Sequence, residues 1–132
     1  MPLRRTRCAA AVAAAALLLC GCGNPSADEV RNVATAFAGD GNDPSARCDL
    51  LAPATLASLL QQQTSPCPEV IQGLPLGSGK VMQVEVWGEE AQAKLADDTL
   101  FLTRTSAGWR VMAAACTPKG GHQPYDCQLE SS

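Results

Sequence analysis

"KVMQVEVWGEEAQAKL", residues Lys80 to Leu95, is where the apolar period of this chain changes. Met82, Val84 and Val86 alternate with Gln83 and Glu85, and Ala91, Ala93 and Leu95 alternate with Gln92 and Lys94. A period of two puts successive side chains on opposite faces of a strand. Gly88-Glu89 between the two runs predicts a hairpin turn. Asp97-Asp98 marks a second turn, "TLFLTR" a third strand, and "TSAG" a turn into a fourth strand from Trp109 to Cys116. Four strands joined by short connections predict an antiparallel meander with one apolar face. Its inward positions are expected to be Met82, Val84, Val86, Ala91, Ala93, Leu95, Val111 and Ala113.

Before Lys80 the spacing is helical. Val30, Val33, Ala34 and Phe37 recur at three and four residues, with Ser26 and Glu29 as a capping box and Gly39 as a stop. Asp43-Pro44 predicts the start of a short helix containing Cys48. Thr55 to Gln63 carries Leu56, Leu59 and Leu60 on one face, and a last turn spans Pro68 to Gln72. "LPLGSG" reads as a linker into the sheet. Helices first and strands afterwards predict an α+β fold, with helices packed on one face of the sheet.

The N-terminal segment is of another kind. "MPLRRTR" is a basic region, and Cys8 to Leu19 is an apolar run of about a dozen residues, the plan of a signal peptide and short of a membrane span. Leu19-Cys20-Gly21-Cys22 resembles the bacterial lipobox, an apolar residue and two small positions before the modified cysteine. The resemblance implies cleavage between Gly21 and Cys22 and a diacylglyceryl thioether on Cys22. An ordinary secretory signal and a metal-binding C-x-C are the rival readings. The expected organisation is a signal peptide over 1–21, a lipid-anchored tether over 22–27 and a folded domain over 28–132. Arg4-Arg5 lacks the apolar residues that follow a twin-arginine export pair.

Once the signal is removed, seven Lys and Arg face thirteen Asp and Glu, a net charge of −6. An acidic domain has no electrostatic attraction for a phosphate backbone or an anionic lipid surface, which argues against nucleic acid as a partner. Membrane attachment is then expected through acyl chains. Cys48, Cys67, Cys116 and Cys127 remain for the domain, and four cysteines allow three pairings. Proximity favours Cys48–Cys67 and Cys116–Cys127. A four-cysteine zinc site is disfavoured, because neither pair has the two-to-four-residue ligand spacing of structural zinc. No metal or cofactor is expected.

The segment "DDTLFLTRTSAGWRVMAAACTPKGGHQPYDCQLE", with the lipobox and "CDLLAPAT", resembles a family of small actinobacterial lipoproteins. The order of elements is similar to the nuclear-transport-factor-2-like superfamily, in which helices sit in a cone formed by a curved antiparallel sheet. The first likeness implies a cell-envelope address on the extracytoplasmic face. The second implies the cone, and a pocket between helices and sheet that some members use as isomerases or hydrolases.

The residues themselves point away from catalysis. The expected inward positions are apolar, and a general acid or base must lie within hydrogen-bond reach of its substrate. Asp97 and Asp98 read as solvated turn formers, and Trp87 and Trp109 as packing residues. "GLPLGSGK" lacks P-loop spacing. The expectation is a lipid-anchored domain that binds an envelope protein or a small apolar ligand without chemistry. A cone-fold enzyme is the alternative, and a purely structural envelope protein the third class. Within "CTPKGGHQPYDC", a disulfide-closed surface loop, His122, Tyr125 and Asp126 are the candidate binding residues. There the rival reading has Tyr125 packed on the sheet edge.

Overall fold

The computed structural model describes residues 24–39, 43–121 and 124–132. Four helices precede five strands, one strand more than the sequence pattern predicts. Each helix carries proline at its first or second position, where the missing N–H costs nothing and the fixed φ suits the helix. Helix α1 spans Pro25–Ala38 and is capped by Asn24, whose side-chain oxygen accepts from Ser26 N at 3.1 Å. The expected capping box is thus displaced, because Pro25 makes the better first residue. The Ser26 hydroxyl instead accepts from Arg104 Nη2 at 2.7 Å. Helix α2, Pro44–Asp49, has the expected Asp43 cap, with Oδ1 accepting from Ser45 N at 3.0 Å. Helix α3 spans Pro53–Gln62, and α4 spans Cys67–Gln72.

Strands β1 (Val81–Trp87), β2 (Glu90–Leu95), β3 (Thr99–Thr105), β4 (Gly108–Thr117) and β5 (Asp126–Glu130) form one antiparallel sheet in chain order. The turn before β2 holds Gly88 at φ +58°, a conformation glycine adopts without penalty. The fifth strand comes from the tail. Proline and glycine in residues 118–124 interrupt the chain for only a few residues, and Asp126 re-enters opposite Thr117. On the stretch of β4 that β5 leaves free, the chain between α2 and α3 docks in parallel. Ala52 N donates to Val111 O, and Val111 N to Leu50 O, both at 2.8 Å.

Two register shifts correct the list of inward residues. One falls between Val81 and Gln83, so Val81 opposes Leu95 and is buried while Met82 is 66% exposed. Val84 and Val86 then return to the core face opposite Ala93 and Ala91. The other shift lies between Phe101 and Leu102 against β4, placing Ala113 opposite Phe101. Ala114, opposite Leu129, joins Val111 in the core instead. Such bulges insert one residue and flip the faces beyond it.

Helix α1 lies across β1, β2 and β4, and α3 packs on β4 and β5. Val30, Ala34 and Phe37 on α1 are fully buried against Leu100, Leu102, Trp109 and Val111. Much of the contact is alanine: Ala34, Ala38, Ala91, Ala93 and Ala114 are all buried. Trp109 is the largest buried side chain, and the Arg104 guanidinium lies 5.1 Å from its ring centre. Its outermost partner is Glu89, whose carboxylate is 3.5 Å from Arg104 Nε.

Candidate functional site

Both predicted disulfides are present. Cys48–Cys67 joins α2 to α4, and Cys116–Cys127 links directly opposed residues of β4 and β5. Each closes within one half of the domain, so helices and sheet are joined by packing and hydrogen bonds and not by a covalent bridge. Cys22 and His122 lie outside the described residues. Of the remaining loop candidates, Tyr125 is half-buried, edge-on to Phe101 with ring centres 5.1 Å apart. Asp126 is exposed and begins β5. The Tyr125 ring thus turns towards Phe101 on the inner strand β3.

Asp97 is the exposed turn residue the sequence suggested, whereas Asp98 is half-buried and does more than form a turn. Asp98 Oδ1 accepts from Thr99 N at 2.7 Å and Cys116 N at 3.0 Å. Oδ2 accepts from Ala115 N at 2.9 Å and Gly77 N at 3.2 Å. One carboxylate thus holds together the linker, the start of β3 and the far end of β4. Ala115 has φ +52°, a left-handed backbone that alanine rarely adopts. That twist turns two successive amides towards the same carboxylate. Asp97 accepts from Ser78 N at 3.0 Å and Gly79 N at 2.7 Å. The Ser78 amide is the foremost cause holding Asp97 below the usual carboxylate range, with Gly79 and the Arg47 charge adding to it against a desolvation cost.

The glycines of "LPLGSGK" are explained by this knot. A Cβ on Gly77 would collide with the side chain of Asp98, and one on Gly79 would lie 2.6 Å from Asp97 Oδ1. Arg47 completes the arrangement from α2. It is buried, its Nη2 donates to Gly77 O at 3.1 Å, and its guanidinium stacks 5.3 Å from the Phe37 ring centre. Burial lowers its pKa from the ordinary guanidinium value, while the charges of Asp98 and Asp97 oppose the shift. The carboxylates and the buried cation are thus engaged with backbone, which leaves no free acid or base in this cluster.

Beside the knot lies an open cleft of about 470 Å³ between the C-terminal half of α1 and the entry to β1. Arg31, Thr35, Ser78 and Lys80 line it, together with the backbone of Gly39 and Gly79. Two cations and two hydroxyls thus share the hollow with the apolar side chains of Ala38 and Val81. Arg31 Nη1 also donates to Val81 O at 3.4 Å, across fifty residues of sequence. Sequence reading missed this site because its parts are single polar residues on different elements, and neither shows periodicity. A second, smaller hollow of about 60 Å³ lies where α3 and α4 meet β5, beside Gln62, Val70 and Gln128. The volume between helices and sheet is occupied by Trp109, Phe37, Leu100 and Leu102.

Ser58 is buried and shares a 2.9 Å hydrogen bond with the Ser132 hydroxyl. Its oxygen also accepts from Ser132 N at 3.0 Å, tying the tail to α3. Among the described residues, no three His, Cys, Asp or Glu side chains are grouped to hold a metal ion. None of the described helices is long and apolar enough to cross a membrane. No family model, no curated protein and no solved structure matches the chain.

Proposed function

We propose that this protein is a lipid-anchored domain on the extracytoplasmic face of a bacterial cell envelope, where it acts by binding or as an accessory rather than by catalysis. The observation that carries this reading is the pair of disulfides in a chain whose N-terminal segment ends in a lipobox-like Cys22. Disulfides persist in oxidising compartments, and acyl chains suit an acidic domain that gains nothing from anionic lipid. In fold we assign it to the nuclear-transport-factor-2-like cones, on the order of helices before a meander that covers them on one face.

The non-catalytic part rests on how the carboxylates are used. Asp98 spends both oxygens on four amides, and the space where cone enzymes keep their chemistry is filled by apolar side chains. A ligand with a carboxylate or phosphate would be held by Arg31 and Lys80 in the open cleft. Mass spectrometry of the N-terminal peptide from native membranes tests the anchor, with an acylated Cys22 as the expected result. Cys22→Ala should release the protein from the membrane fraction or leave the precursor uncleaved. An unchanged mature N-terminus on a variant still bound to membranes refutes the assignment.

A further inference from the structure

We infer that the end of the domain formed by the β1–β2 turn rests on the bilayer that holds the anchor, with Trp87 inserted at the lipid–water interface. The inference rests on the lipid-anchor reading above and adds an orientation to it. Asn24 caps α1, so Gly23 alone separates the capping residue from Cys22. Two residue steps of fully extended chain reach about 7 Å. The start of α1 is therefore held within that distance of the acylated residue, too short a tether for the domain to stand off the surface or tumble freely.

What surrounds the start of α1 then meets the lipid. Arg104 fixes this neighbourhood: it donates to Ser26 Oγ at 2.7 Å, pairs with Glu89 at 3.5 Å, and its own amide donates to Glu89 O at 2.8 Å. The first turn of α1 and the Gly88-Glu89 turn consequently lie at one end of the sheet. Trp87 flanks that turn, paired with Glu90, and is 54% exposed. Its counterpart Trp109 is only 2% exposed. Tryptophan concentrates at membrane–water interfaces, where its ring is apolar and its N–H finds a polar partner. Here one of the chain's two tryptophans is left in water at the end tethered to a membrane.

The charges at this end set the depth. Asp28, Glu29, Glu89 and Glu90 are all exposed. Carboxylates do not enter hydrocarbon, so they hold the turn at headgroup level while the indole alone reaches the glycerol region. Because α1 runs about 21 Å from Pro25 to Ala38, the cationic cleft at its far end is carried away from the bilayer. Strand β4 likewise ends, and β5 begins, at the end opposite the tether.

The test uses the acylated protein purified from its own membranes and reconstituted into phosphatidylcholine vesicles. Part of the lipid is brominated, either near the headgroup or near the chain ends. Bromine near the headgroup should lower tryptophan emission by about a third, bromine near the chain ends should lower it far less, and Trp87→Ser should show no quenching. Trp109, sealed in the core, supplies the constant background. Acylated protein that floats with the vesicles but is not quenched overturns the docking and leaves the anchor standing. A Cys22 peptide without acyl mass overturns both. Quenching that persists in Trp87→Ser also refutes the assignment of contact to this residue.

Discussion

Replacing Asp98 by alanine removes the acceptor for four backbone amides at once, those of Gly77, Thr99, Ala115 and Cys116. A hydrogen bond to a charged acceptor contributes about 1.5–3 kcal/mol, and a stranded buried donor costs about as much. The site is part-buried, so water can reach some of the freed amides, and neighbouring bonds to one group do not add. Taking about 1 kcal/mol for each amide gives a loss of about 4 kcal/mol, a large share of the stability of a small domain. Asp98→Asn should cost about 2–3 kcal/mol, because one oxygen becomes an NH₂ group facing two donors. Asp97→Ala, whose two partners are exposed, should cost under about 1 kcal/mol. Urea denaturation with the disulfides intact measures all three. Hydrogen exchange should show lost protection at Gly77, Ala115 and Cys116 in particular. Equal, small losses for Asp97→Ala and Asp98→Ala would refute the carboxylate knot as a keystone of the fold.

Trp109→Ala should destabilise by about 3–5 kcal/mol as a core truncation, whereas Trp87→Ala should stay within about 0.5 kcal/mol in detergent-free buffer; thermal melts of the two distinguish them. Gly77→Ala should destabilise because its Cβ has no room beside Asp98, and a variant as stable as the wild type would mean the linker approaches the sheet less closely. Non-reducing peptide maps should join Cys48 to Cys67 and Cys116 to Cys127, and a Cys48→Ala, Cys67→Ala double variant should lose about 3 kcal/mol in the loop-entropy account. The folded pKa of Asp97 is depressed, so the stability it contributes is present above its unfolded value and is lost as pH falls through the folded value. Acid unfolding followed by circular dichroism should therefore begin below about pH 4, with a shallower slope in Asp97→Asn.

Much of the architecture was legible because it depends on period. The switch at Lys80 marked the boundary between helices and sheet, and the Gly88-Glu89 turn and Asp43-Pro44 start follow from local backbone chemistry. The bulges were not legible. Nothing in "KVMQVE" distinguishes Met82 from Val81 as the inward residue, since both are apolar, and only the pairing with Leu95 decides it. The fifth strand escaped notice because "DCQLE" is short and polar, and its one buried apolar residue is Leu129. It forms because Cys127 lies opposite Cys116 and the edge of β4 is open. The carboxylate knot was invisible for a further reason. An Asp-Asp pair between two strands has the same local signature whether its oxygens meet water or four amides from distant segments.

The alanines explain why so small a domain uses two disulfides. Ala34 and Ala38 on α1 face a sheet whose inward positions include Ala91, Ala93 and Ala114. Small side chains let the helix approach closely, but each removes little apolar area from water, and hydrophobic stabilisation scales with that area. Trp109 and Phe37 concentrate much of what remains on one spot under α1. Where α2 meets α4 and where β5 closes the sheet, the elements are short and bury few apolar side chains of their own, Cys67 and Ile71 on α4 and Leu129 on β5. Those are the two places where a covalent bridge is found, Cys48–Cys67 and Cys116–Cys127. The Asp98 carboxylate joins Gly77, beside the helical half, to Cys116, on the strand that carries the second bridge. Covalent and polar ties thus supplement apolar packing at the end of the sheet where β4 meets β5, while Trp109 and Phe37 hold its centre.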